Sequence, residues 1–161
     1  MHSFVAGLLT RDIPIANPEA IVSIVGSDAN GSLGAVSYDD YAALKEYRDT
    51  FEWVGAARES QATITLNGRS SITPVAAVSS ELAGLIQISP DKGVVVSHRL
   101  LQNELGLSTE AIHKTLHIDD ADLAIVGVAP EWLDGLYLDR PIDVWTPFDA
   151  DGSLDADRDG R

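Results

Sequence analysis

Cysteine is absent from this 161-residue sequence, methionine occurs once, and lysine stands only at positions 45, 92 and 114. The first absence removes disulfides, a thiol nucleophile, thiol redox chemistry and cysteine-ligated zinc. It leaves the compartment open, because many periplasmic domains also lack cysteine. The shortage of cations speaks against nucleic acid as a partner, since a phosphate-binding surface needs clustered Lys and Arg to displace counterions. An anionic membrane surface is disfavoured on the same ground. Long apolar runs are missing as well. The run nearest the start, Phe4 to Leu9, holds six residues against the ~18 needed to cross a bilayer, and no basic leader precedes it as a signal peptide would require.

What is present is acid and apolar bulk. Asp and Glu number 25 against 11 Lys and Arg, a formal charge of −14, and 45% of the residues are hydrophobic, enough to bury one core. The acid is concentrated late, with twelve acidic and three basic residues between 119 and 161. Asp149 to Arg161 carries five Asp, two Arg and two Gly with a single Leu, a composition that cannot bury enough surface to order itself, so a flexible acidic tail is expected over 149–161.

Hydrophobic patterning predicts roughly seven strands and three or four short helices. Ala20 to Val25 is a β-branched run bounded by Gly26 and reads as a buried strand, followed by a Gly/Asn/Ser/Asp loop over 26–34. Ser37 offers an N-cap hydroxyl with Asp40 three residues on, and Tyr41, Leu44 and Tyr47 recur at helical spacing, which predicts an amphipathic helix over 38–49. Phe51 to Ala57 then reads as a second strand carrying Trp53. Two β-rich runs, 62–66 and 71–75, flank Asn67-Gly68, a strong hairpin signal, so a hairpin is expected at 62–78 with Pro74 at an edge or a bulge. Ser79 or Ser80 can cap a short helix to about Ile86, and Gly93 to Val96 is a short buried strand running into a helix at 98–105. Ser108 or Thr109 caps a further turn. Strands are expected at 115–118 and 121–128, joined at Asp119-Asp120, and at 142–146. This order is neither strict βαβ alternation nor all-β, and it implies an α+β fold.

Several constellations invite a chemical reading. Ser97-His98, between a strand and a helix, resembles a nucleophile elbow, but the flanking glycines that permit the strained turn are absent and an N-cap role explains Ser97. His113 and His117 would share a helical face at metal-binding distance, near Asp119, Asp120 and Asp122. The alternation Thr115-Leu116-His117-Ile118 instead places His117 outward on a strand, and the glutamate of the metalloprotease pattern is missing. Asp155-Ala156-Asp157-Arg158-Asp159-Gly160 opens like a calcium loop yet lacks the bidentate carboxylate at its twelfth position, so any calcium affinity is expected to be weak. Gly31-Ser32-Leu33-Gly34 completes neither phosphate-cradling pattern, and Asn30-Gly31-Ser32 is a formal glycosylation acceptor that marks a loop. Trp132 and Trp145, both near prolines, read as core plugs where elements meet. No catalytic, cofactor-binding or metal-ligating residue is assigned.

Four stretches carry a family resemblance. They are Gly7-Leu8-Leu9-Thr10-Arg11-Asp12-Ile13-Pro14 with Asn17-Pro18-Glu19 and Ile21 to Ile24; Val36 to Tyr41 with Phe51 to Ala56; Val94 to Leu100, and Thr115 to Ile118 with Ile125 to Pro130; and Asp143 to Phe148. In order and spacing, over about residues 7–148, they resemble the periplasmic core domain of MacB-type ABC transporter permeases, including the acidobacterial-type duplicated permeases. Two departures stand out: the segment between Leu85 and Gly93 is shorter than the family's, and the glycine of the turn before Thr115 is replaced around His113-Lys114.

The resemblance implies one extracytoplasmic core domain over 1–161. Within it fall a porter-like half at 20–59, an inserted β-hairpin-rich, sabre-like subdomain at 60–130, a return strand within 131–148 and the tail. It implies a non-catalytic domain without cofactors that transmits ATP-driven motion to substrate export or release. Its partners would be an ATP-binding subunit or domain, a homodimer or pseudo-dimer mate and a periplasmic adaptor. Since a membrane helix precedes and further helices follow this region in the family, the chain is expected to be a soluble fragment cut at both ends. The alternative is a stand-alone acidic extracellular binding module, weakly calcium-binding.

Overall fold

The computed structural model describes residues 4–5, 14–27, 29–34, 36–105, 109–136 and 140–148. The chain separates into two compact units, one over residues 1–54 with 155–161 and the other over 55–154.

The first unit contains β1 (Phe4–Val5), a 3₁₀ turn at Pro18–Ala20, β2 (Ser23–Ile24), β3 (Gly26–Ser27), β4 (Leu33–Gly34) and α1 (Tyr38–Lys45). β1 pairs antiparallel with β2, and β3 with β4. The buried strand expected at 20–25 is therefore reduced to short pairings, and no described residue of 14–54 is buried, Val22 being 43% exposed. Each strand meets a partner of two residues, too short to build a two-sided layer. The expected loop at 26–34 holds the β3–β4 pair, with Gly31 at φ 80°. In α1 the Ser37 hydroxyl accepts the Asp40 N–H at 3.1 Å, as the spacing implied. The helix stops at Lys45 rather than Asp49, because Glu46 and Tyr47 donate to Ala43 and Leu44 in the tighter i−3 pattern that closes a last turn.

The second unit holds β5 (Ala57–Leu66), β6 (Arg69–Val78), α2 (Ser80–Leu85), β7 (Val94–Val96), α3 (His98–Leu105), a 3₁₀ turn at Thr109–Ala111, β8 (Thr115–Ile118), β9 (Ala121–Val128) and β10 (Val144–Pro147). The strands close into a barrel in the order β10-β6-β5-β8-β9-β7. β6–β10 and β7–β9 pair parallel and the remaining neighbours antiparallel. The fold is α+β, as the sequence implied.

The order strand, helix, strand around α1 holds, but Phe51–Ala56 is irregular, and Trp53 is 39% exposed there. The second strand begins at Ala57 as one arm of the hairpin. Its ladder ends at Ala56, whose carbonyl accepts the Ser79 N–H at 2.9 Å and whose N–H donates to Ser79 Oγ at 3.0 Å. The hairpin is longer than the expected 62–78 and turns at Asn67 and Gly68, both at positive φ, 51° and 78°. That is the type I′ geometry that Asn-Gly favours. Counting back from the hydrogen-bonded Leu66–Arg69 pair, Pro74 opposite Gln61 is a non-bonded pair, so its missing N–H costs β5 nothing. Pro74 precedes the first residue of β6 that pairs with β10, Val75, which is the edge position expected of it.

Two cores share one wall. Inside the barrel pack Ile64, Val75, Val94, Val96, Leu116, Ile125 and Val144. On the outer face of β6, β10 and β7, Ala76, Val78, Val95 and Trp145 pack with Ala83 and Ile86 of the α2 region and with Leu133, Leu136 and Ile142. A wall covered on both sides must be apolar at successive residues, and Val75 to Val78 and Val94 to Val96 are continuous apolar runs, all buried. β8 has water on one side and alternates instead, with Leu116 and Ile118 buried and Thr115 and His117 exposed. Gly93 allows the close approach of β7 to β9, since a Cβ there would stand 2.1 Å from the Ala124 carbonyl oxygen.

Candidate functional site

Of the residues singled out in the sequence, Ser97 sits in the most developed polar arrangement. Its hydroxyl accepts the Leu100 N–H at 2.9 Å, the capping bond of α3, and donates to Asp143 Oδ1 at 2.7 Å. Arg99 grips the same carboxylate with both arms of its fork, Nε to Oδ1 at 3.1 Å and a terminal nitrogen to Oδ2 at 2.7 Å. The Ser97 N–H also donates to the Asp143 carbonyl at 2.8 Å. The hydrogen bond to Asp143 raises the Arg99 pKa above its ordinary value, partly opposed by burial. Asp143 thus ties the end of β7 and the start of α3 to the residue before β10. A hydroxyl that donates to a carboxylate and caps a helix is held as a structural brace.

The histidines lie at different structural positions. His113 is in the turn before β8 at φ 82°, its N–H donating to the Ile125 carbonyl at 2.8 Å. His117 points outward from β8, with Nδ1 2.6 Å from Asp122 Oδ1 across the β8–β9 pair. A turn and a strand separate them where the metal reading needed a helix. Asp119, at φ 47°, accepts the Thr63 N–H on its Oδ1 at 2.9 Å and donates its own N–H to the Thr63 carbonyl at 2.9 Å, extending the β5–β8 ladder by a step. Among the described residues no group of three or more His, Asp or Glu is placed to hold a metal ion. The calcium-like Asp155–Gly160 segment, Ser108 and residues 7–13 lie outside the described residues.

Trp145 is fully buried and Trp132 packs partly buried against the same outer core, as expected of plugs where elements meet. The sequence reading missed Asp143, Arg99 and Glu59 as tie points. Glu59 Oε2 holds Arg140 at 3.1 Å, joining β5 to the segment that covers Trp145. The signal for Asp143 was available: it is the carboxylate directly before the last apolar strand, and Ser97 and Arg99 are spaced two apart at a strand exit.

This fold is similar to that of extracellular and periplasmic domains of ABC-type transporters. Two of the solved structures that match show the likeness. One is the extracellular domain of the noncanonic ABC-type transporter YknZ from Gram-positive bacteria, at TM-score 0.58 and 12% identity over 75% of this chain. The other is the periplasmic region of MacB from Actinobacillus actinomycetemcomitans, at TM-score 0.57 and 10% identity over 77% of this chain. The chain spans 67% and 62% of the lengths of those two structures. No family model matches the chain. No curated protein matches it. Among the described residues no helix is long and apolar enough to cross a membrane.

Proposed function

We propose that this chain is a non-catalytic extracytoplasmic domain of an ABC-type permease, which carries motion driven by ATP hydrolysis on a partner subunit or domain to the export or release of a substrate. The observation that carries the reading is the fold likeness to two transporter domains on the far side of the membrane. The build of the barrel supports it: a body that transmits displacement must resist deformation, and a closed ring with a core on each side of one wall is stiff in that sense. The brace at Asp143 and the clip at Glu59 fix its last strand and its covering segment.

On this reading 20–59 belongs to a porter-like half and 60–130 to the inserted part, with the return strand within 131–148 and an acidic tail after it. The membrane helices lie outside the sequence, the permease works as a homodimer or pseudo-dimer, and a periplasmic adaptor is a further partner. The acidic surface suits an aqueous compartment outside the membrane and no nucleic acid. Sequencing the native gene and its neighbours tests the proposal. Membrane-spanning segments flanking this region in the reading frame and an adjacent ATPase gene are expected; a reading frame with neither overturns it.

A further inference from the structure

The outward row of the barrel wall places Glu59 on β5, Ala76 on β6 and Trp145 on β10 in direct register. Its two ends carry the buried side-chain polar atoms that lack a hydrogen-bond partner among the described residues, Glu59 Oε1 and Trp145 Nε1. Trp145 is wholly buried, so bulk water does not reach its indole N–H, and a shielded donor is unfavourable unless an acceptor meets it. The other oxygen of Glu59 is engaged by Arg140 at 3.1 Å, which holds the carboxylate in place. Ala76, whose side chain is a single methyl group, is the register partner of both. Two strand spacings put the Cα atoms of residues 59 and 145 about 9.6 Å apart.

We infer that a single buried water occupies this place, accepting the hydrogen bond of Trp145 Nε1–H and donating one to Glu59 Oε1. The two groups select their ligand by opposite demands. The indole nitrogen only donates and so refuses a cation, whereas the carboxylate only accepts and so refuses an anion. A neutral molecule that accepts and donates at once satisfies both, and the apolar surroundings, including Leu133 and Ile142, restrict it to the smallest one. The water links β5 to β10, which do not pair directly, across β6. Glu59 then holds the barrel through the water and the covering segment through Arg140.

Nuclear Overhauser transfer between water and the assigned indole proton of Trp145, measured on the isotope-labelled 161-residue chain, tests this. A cross-peak to a long-lived water is expected in the parent protein. It should persist in Glu59→Gln, whose amide oxygen still accepts, and vanish in Glu59→Leu. A parent protein without the cross-peak, or a cross-peak that survives Glu59→Leu at full intensity, overturns the inference. Should Glu59→Leu not fold, a high-resolution crystal structure of the parent decides: solvent density within hydrogen-bond distance of both atoms supports the site, and a direct indole–carboxylate bond or an empty gap refutes it.

Discussion

His113 holds φ 82°, a conformation in which an L side chain crowds its own backbone and glycine does not. The bond made there, from its N–H to the Ile125 carbonyl at 2.8 Å, belongs to the main chain and survives any substitution but proline. His113→Gly is therefore expected to stabilise the protein by about 1 kcal/mol, the relief of strain exceeding the added freedom of the unfolded chain. A denaturation midpoint that rises with an unchanged slope checks this, and a fall would mean that the imidazole makes a contact worth more than the strain. Gln87 is a parallel case at φ 62°. With Ile88 N–H on the Ala83 carbonyl at 3.0 Å and Gln87 N–H on that of Gly84 at 3.3 Å, it closes α2 in the Schellman manner usually given to glycine. Gln87 was not visible beforehand, because a left-handed residue is announced in sequence mainly when it is glycine or asparagine, as Asn67-Gly68 was; at His113 the only signal was the family resemblance, which pointed to a replaced glycine in this turn.

Among the elements, β7, α3 and β10 meet at one carboxylate, and removing it should loosen all three together. Asp143→Ala leaves the buried Ser97 hydroxyl and both donating arms of Arg99 without their acceptor, at an expected cost of about 2–3 kcal/mol; the figure is kept low because the Arg99 side chain is 47% exposed. Asp143→Asn, which keeps an acceptor for Ser97, should cost about half as much. Equilibrium unfolding of the two variants reads the difference, and equal costs would mean that charge rather than the hydroxyl bond carries the brace. Much at this scale was legible in the sequence. The alternation at 115–118 and the unbroken apolar runs at 75–78 and 94–96 report directly how many faces of a strand are covered. The strand expected at Phe51–Ala57 was not, since its aromatic and β-branched residues carry propensity but find no partner strand there, while Ala56 is already engaged by Ser79. Local signals marked Asp143, Ser97 and Arg99 singly but not their meeting, because the brace joins residues 44 and 46 positions apart.

At the scale of the whole molecule, the two units differ in what water can reach. Strands 57–66, 69–78, 94–96, 115–118, 121–128 and 144–147 close a ring around a core, whereas none of the described residues in 14–54 is buried. Amide hydrogen exchange should therefore divide the chain: the barrel amides are expected to exchange only by openings near the global unfolding free energy, and those of 23–45 at least ~100-fold faster, a gap of about 2.7 kcal/mol. Uniform protection along the chain would contradict this. The strand order also dictates when the ring can exist. β10 stands between β6 and β7, pairing parallel with the first and antiparallel with the second, so on a ribosome those two strands emerge well before the piece that joins them. Until residues 144–147 arrive, Val75 to Val78 and Val94 to Val96 present open apolar edges. The nascent barrel is then at its most vulnerable to mispairing with another chain, and its assembly is a late, non-local event rather than a progressive winding from the N-terminus.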